Sequence, residues 1–211
     1  MASARQILRD VAAEAVGCER CPLYRNATQT VFGQGPVPAP IMLVGEQPGD
    51  SEDKAGLPFV GPAGRILDRA LQEAGVDRGS VYVTNAVKHF KNVPRGKRRI
   101  HQRPIRYEIE RCRWWLDQEL KLVRPRVTVA LGATAAWALA GRVVTISQSR
   151  GRLVEFRGGV GGFVTVHPSF ILRLRDEDKD EEYRRLVADL SRVHDLVPSG
   201  QVRSRGSRLI T

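Results

Sequence analysis

Four short runs of β-branched and apolar residues, each closed by a turn, constrain this chain more than any other feature. They are IMLVGE (Ile41–Glu46), VYVTNAV (Val81–Val87), VTVALG (Val127–Gly132) and FVTVHP (Phe163–Pro168). Apolar nearly throughout rather than alternating, they suit strands covered on both faces, as in a parallel sheet. Helical patterns fall between them. Pro62–Gly75 places Ile66, Leu67, Ala70, Leu71 and Ala74 at helical spacing, with Pro early and Gly at the end. Further helices are expected from about Pro104 to Leu122, over Ala133–Ala140, across the first ~17 residues and over Tyr183–Leu196. Arg150–Val166 reads as a glycine-rich hairpin feeding the last strand. The expected fold is α/β: a three-layer α/β/α sandwich around a mostly parallel four-stranded sheet, with right-handed crossovers. No internal repeat is visible. One domain is expected over residues 1–197, followed by a basic, disordered tail over 198–211.

In an open α/β sheet, ligands bind beyond the carboxyl ends of the strands. Three of the four strand ends carry unusual polar groups: Gly45–Asp50, Thr84-Asn85 and His167-Pro168-Ser169. They are expected to converge on one rim.

Hydrophobic residues make up 42% and charged residues 27% of the 211, an ordinary globular balance that argues against wholesale disorder. The net charge is +11, and it is concentrated. Residues Lys88–Arg106 hold eight Lys and Arg and no acid, and residues 198–211 hold three Arg and no acid, so the rest is neutral. A neutral body with a strongly basic internal loop points to a polyanion, nucleic acid first. The N-terminus lacks the apolar core of a secretory signal, and no apolar run approaches the ~20 residues of a membrane span. The expected setting is the bacterial cytoplasm, without a membrane partner. Three cysteines are an odd number, which argues against a disulfide framework.

Three motifs sharpen this reading. Gly45–Gly64 (GEQPGDSEDKAGLPFVGPAG), Thr84–Phe90 (TNAVKHF) and His167–Phe170 (HPSF) together resemble the uracil-DNA glycosylase superfamily. The cysteine pattern resembles its iron–sulfur family 4 branch, and GKRRIH (Gly96–His101) within the basic loop resembles the UdgX group. The resemblance runs from about Cys18 to Leu190 and implies DNA repair by uracil excision, acting during repair at the nucleoid. The partner it implies is uracil-containing DNA, single- or double-stranded, bound by a monomer.

Uracil excision requires a base taken out of the stack, gripped on its face and edge, and a leaving group and sugar cation both stabilised. By the resemblance, Phe59 is the stacking platform, although a core Phe beside a turn would look the same. Asn85 matches uracil O4 and N3–H, since its amide donates and accepts together. His167 is expected to hydrogen-bond uracil O2 and stabilise the departing anion. Phe170, Ile171 and Leu172 are candidates for a wedge filling the vacated space, against a reading as ordinary core. Glu46 is the carboxylate expected to face the sugar cation, and Gln47 shares that catalytic turn. Asp53 is given a supporting role bracing the basic loop, and Asp50 that of a solvated loop charge.

Cys18-x2-Cys21 and Cys112 supply three thiolates, one short of the set a cubane cluster normally takes. The family 4 pattern carries a further cysteine where this chain has His89. The resemblance therefore implies a [4Fe-4S] cluster held by Cys18, Cys21, His89 and Cys112. On donor chemistry alone, a Cys3His set also suits structural zinc.

His101 closes the basic motif. Taken alone, it reads as a phosphate contact. The resemblance to the UdgX group implies instead that it attacks C1′ after uracil leaves, forming a covalent protein–DNA bond and limiting the protein to a single turnover. Neutral imidazole is a competent nucleophile for that step. Arg99 is expected to orient the loop, with Lys97 and Arg98 gripping phosphates. Two alternatives remain at this point: hydrolytic excision releasing free abasic DNA, and a non-catalytic iron–sulfur DNA-binding module.

Overall fold

The computed structural model describes residues 2–159 and 161–197. The expected basic tail, residues 198–211, lies outside the described residues.

The central sheet contains β1 (Ile41–Gly45), β2 (Val81–Asn85), β5 (Val127–Leu131), β6 (Leu153–Glu155) and β7 (Gly161–Thr165), in the order β2-β1-β5-β7-β6. The first four in that order run parallel, with Ile41 beside both Val81 and Val127, and Leu131 beside Thr165. The sheet thus has five strands rather than the expected four. The extra one is β6, the first arm of the glycine-rich hairpin, which pairs antiparallel with β7 and closes one edge.

Side chains alternate across this sheet, and each face buries a separate apolar layer. Met42, Val44, Tyr82, Ala130 and Val164 pack under α1 (Ala4–Ala15), α4 (Arg106–Val123) and α5 (Ala133–Ala140). Ile41, Leu43, Val81, Val83, Val129 and Phe163 pack under α3 (Pro62–Glu73), α7 (Pro168–Leu172) and α8 (Asp176–Asp195). Two short helices, α2 (Asp50–Ala55) and α6 (Ile146–Ser149), sit in the connections.

Helix α5 has the bounds the sequence predicts. Helix α4 starts two residues later than expected, where the Glu108 carboxylate turns back to accept the Ile105 backbone N–H at 2.8 Å. Helix α8 starts seven residues before the expected Tyr183. Asp176, Glu177 and Asp178 fill its first turn, where acidic side chains favour the positive end of the helix dipole.

The basic loop is not irregular. Asn92–Arg95 (β3) and Arg98–His101 (β4) form an antiparallel hairpin joined by Gly96-Lys97. Gly96 takes φ +58°, the left-handed conformation such a two-residue turn needs. The hairpin's return arm therefore ends on His101, which pairs with Asn92.

Candidate functional site

The parallel strands end on one rim, and two adjoining clefts open there. The smaller, about 560 Å³, is lined by Phe59, Asn85, Gln47, His101, His167 and Leu172, among others. The larger, about 760 Å³, shares Gln47, His101 and His167 and adds Glu46, Arg103, Phe170 and Arg150. The three polar strand ends named from the sequence thus meet at one place.

Backbone fit sets the smaller cleft. β1 and β2 run in register to Gly45 opposite Asn85, and a Cβ on Gly45 would stand 2.3 Å from Asn85 Oδ1 and 2.6 Å from the Phe59 ring. Phe59 itself sits at φ +58°, uncommon for a residue with a Cβ. Its carbonyl is pressed so closely against α3 that only glycine fits at Gly64. The buried Glu52 shapes the same turn by accepting N–H groups from Gly49 (3.0 Å) and Gly61 (2.7 Å). Asn85 is buried, and its side-chain amide makes no hydrogen bond among the described residues, so both its donor and its acceptor are open to a ligand.

His167 begins α7. Its Nδ1 accepts the Ser169 backbone N–H at 3.2 Å and lies 2.8 Å from Ser169 Oγ. Burial above all pushes the imidazole down to about 4, against a pull upward from Glu46. At neutral pH the ring is uncharged, and with Nδ1 occupied as an acceptor the proton is assigned to Nε2. His167 is therefore a neutral donor, with its ring 6.2 Å from that of Phe59.

Glu46 stands at the seam of the two clefts. Its Oε1 lies 3.5 Å from His101 Nε2, and its Oε2 accepts the Thr134 hydroxyl and lies 3.9 Å from Arg103 Nε. Burial works against its charge. The bonds from His101 and Thr134 outweigh that and hold the carboxyl below its ordinary value. Glu46 is a fixed negative charge with one oxygen toward His101.

The hairpin carrying His101 is clasped to the body. Arg99 Nε donates to Asp50 Oδ1 at 2.6 Å and Arg99 Nη1 to Asp53 Oδ2 at 2.5 Å, while the buried Asp53 also accepts the Thr28 backbone N–H. Asp50, read as a solvated charge, is half of this clasp. Gln47 holds the other end: its Nε2 donates to the Gln102 carbonyl at 3.0 Å and its Oε1 accepts the Lys91 N–H at 3.1 Å. Its amide is thus spent on the two feet of the hairpin.

Not all eight basic residues face solvent. Lys88 is fully buried, and its Nζ donates to Glu119 Oε2 (2.6 Å), Thr84 Oγ1 (2.7 Å) and the Asn85 carbonyl (2.7 Å). Lys91 pairs with Glu108 at 2.9 Å. Among the described residues, Arg95, Lys97 and Arg98 at the hairpin tip are exposed and make no ion pair with an acidic side chain. The candidate wedge divides as well. Ile171 belongs to the core, whereas Phe170 and Leu172 are exposed and line the larger and smaller clefts.

Thr134 and Arg103 were missed from the sequence. Thr134 stands just past the end of β5, the one parallel strand whose end showed no unusual polar group, and only that position marked it.

Cys18, Cys21 and Cys112 are free, buried and part of one apolar layer, close enough that the charges of Cys18 and Cys21 act on Cys112. Two of the sulfurs already accept N–H groups: Cys112 from the Lys88 backbone at 3.1 Å, and Cys18 from Trp115 Nε1 at 3.1 Å. Burial pushes the Cys112 thiol up to about 12, so its thiolate needs a positive centre beside it. His89 Nε2 lies 3.0 Å from Thr30 Oγ1, whose hydroxyl is donated to the Ala15 carbonyl. The proton of that contact therefore belongs to Nε2, and Nδ1 keeps its lone pair. Among the described residues no three His, Cys, Asp or Glu side chains converge tightly enough for a single metal ion. Three free, buried thiols, two of them already accepting N–H groups, are donors of the type that a cluster takes.

Residues 32–191 match the family described as the Uracil DNA glycosylase superfamily. The chain is 38% identical to a type-4 uracil-DNA glycosylase of Thermotoga maritima over 187 residues, covering 88% of this chain and 92% of the relative. It is likewise 38% identical to a type-4 enzyme of Pyrobaculum aerophilum over 165 residues, covering 74% and 80%. A type-5 uracil-DNA glycosylase from the same archaeon is 31% identical, covering 82% and 89%. With the family match spanning most of its length, this chain belongs to the uracil-DNA glycosylase superfamily.

Proposed function

We propose that the protein excises uracil from DNA and then captures the abasic sugar covalently through His101, in the manner of the UdgX group. The observation that carries this reading is the 3.5 Å approach of His101 Nε2 to Glu46 at the seam of the two clefts. A nucleophile and its base stand there side by side, next to a pocket that offers a ring face, an open amide and a neutral imidazole donor.

The flipped base enters the smaller cleft and stacks on Phe59. Asn85 donates to O4 and accepts N3–H, a pattern that cytosine, with an amine at C4, does not satisfy. As the C1′–N1 bond breaks, its electron pair leaves on uracil. The Nε2–H of His167 stabilises the charge building on O2, and Glu46 faces the positive sugar. The Nε2–H bond of His101 then breaks, its proton passing to Glu46 and the electron pair so freed bonding C1′, which leaves a neutral alkylated imidazole and a carboxylic acid. Uracil takes its proton from solvent. Gln47 and the Arg99–Asp50–Asp53 clasp position the nucleophile without touching the reacting atoms. Arg95, Lys97 and Arg98 are free to meet phosphates.

Cys18, Cys21, His89 and Cys112 are the residues that would hold a [4Fe-4S] cluster. When bound, its contribution is structural, tying the segment after α1 and the start of α4 to the base of the hairpin. Iron and sulfide analysis of the purified protein tests this, and a colourless, zinc-loaded preparation would sink it.

The function is tested by mixing the protein with uracil-containing single-stranded DNA and running a denaturing gel. A shifted band is expected, absent in His101→Ser. Alkali-labile strand without a shifted band would establish hydrolytic release of abasic DNA instead. Neither product, from protein with its metal intact, would leave a binding module.

A further inference from the structure

A third cleft, about 240 Å³, opens between the start of α4 and the end of α5, lined by Arg103, Pro104, Arg106, Thr134, Trp137 and Val143, among others. It is continuous with the proposed catalytic mouth. Arg103 lines both this cleft and the larger one, and Thr134, which lines this cleft, donates its hydroxyl to Glu46. Val143, which lines this cleft, is 80% exposed, and Ile105 (56%) and Tyr107 (52%) flank the lining residue Arg106 in the chain. The cations lie at its edge. Arg106 sits 5.3 Å from the centre of the Trp137 ring and pairs with Glu110, while Arg103 is exposed toward the mouth.

Apolar and aromatic faces interleaved with guanidinium groups suit a nucleobase and its phosphate better than a peptide or a lipid. Arg103 and Ala133 line both this cleft and the larger one at the proposed reaction centre. A base that reaches this cleft while its neighbour occupies the uracil pocket has left the double helix, since two adjacent nucleotides are then unstacked. We infer that this cleft is a stacking subsite for an unpaired base next to the flipped uracil, with Arg103 meeting the connecting phosphate. The protein is thereby tuned to single-stranded DNA. This rests on the uracil-excision reading and extends it to the shape of the substrate.

The test uses short single strands containing one uracil, in which the base on the 5′ or the 3′ side is replaced by a base-free sugar that keeps the phosphate. Single-turnover uracil release is followed over a range of protein concentrations. Removing the flanking base on one side is expected to raise the half-saturating concentration by roughly 5- to 150-fold, the span of base–aromatic stacking. Val143→Glu and Trp137→Leu are expected to weaken binding of the intact strand and to abolish the difference between intact and base-free strands. Val143 is highly exposed, so its variant guards against a folding defect in Trp137→Leu. Indifference of the wild type to both flanking bases would overturn the subsite, as would variants that remain equally sensitive. If Val143→Glu changes only the sedimentation of the free protein, the patch is an interface between copies and the subsite is refuted. Absence of uracil release from every strand would instead refute the underlying activity.

Discussion

The proposed uracil pocket and the His101 hairpin are held in different ways, although they meet at Glu46. The pocket is built from strand ends and the turns packed on them. The register of β1 on β2 sets Asn85, and glycines at 45 and 64 let Phe59 press into place. The hairpin is a separate two-stranded sheet, held to the body through Arg99 with Asp50 and Asp53 at one point and Gln47 at another. On the proposed reading, recognition is written into the core, and capture rides on an element fastened by a few side chains. Changes in the first region should abolish the whole reaction. Changes in the fastening should separate its two steps.

The largest effect is expected inside the pocket. His167→Leu and Asn85→Ala each remove a group aimed at charge developing on uracil, and each should slow release about 100- to 1000-fold. His167 also has a pH signature. Its folded value of about 4 lies below the ordinary 6.5. Its contribution to stability is therefore complete above about 6.5 and is lost as pH falls toward 4. Thermal melts of His167→Leu should lose that part of the acid sensitivity, and an unchanged profile would contradict a neutral His167.

An intermediate effect is expected at the clasp. Arg99→Ala leaves Asp53 buried beside an empty site and frees the hairpin. Adduct formation should fall about 10- to 100-fold while uracil release changes only a few fold, a misplacement effect on the nucleophile alone. Equal losses in both steps would show that the two regions work as one. Arg99→Lys should recover less than its charge implies, because the two carboxylates engage two separate nitrogens of one planar fork.

The smallest effect concerns the tip. Lys97 and Arg98, exposed and unpaired with acids among the described residues, should each contribute one phosphate contact. Replacing both with Ala should flatten the log–log salt dependence of single-strand binding by about 0.7 per contact. An unchanged slope would move the electrostatic footprint to Arg103 and the larger cleft.

Much of this was legible locally. Continuous apolar runs marked the parallel strands, and polar residues at their ends marked the rim, because strand direction and side-chain alternation are properties of short segments. The glycine-rich hairpin was legible too, but its first arm was not counted into the sheet, because β6 is three residues long and its burial is partial. The basic segment misled in two respects. Its arms carry Pro94 and three arginines, with Val93 and Ile100 alone as apolar residues to announce a hairpin, and only Gly96 hinted at the turn. Lys88 counted as a surface charge because nothing near it in sequence reveals Glu119, which lies 31 residues away on α4. Thr134 carried no distinguishing signal beyond its place after a strand.

The sequence by itself determined the four parallel strands, the longer helices that cover them, the rim and most of the side chains gathered there. The tertiary structure alone decided which charges are spent and which are free. Lys88 is consumed by Glu119 and Arg99 by Asp50 and Asp53, while Lys97 and Arg98 remain without acidic partners among the described residues. It also decided that His101 stands beside Glu46 and not elsewhere on a basic loop. Periodicity is local, repeating every two or 3.6 residues, whereas an ion pair depends on which distant elements pack together. That information resides in the packing of the chain.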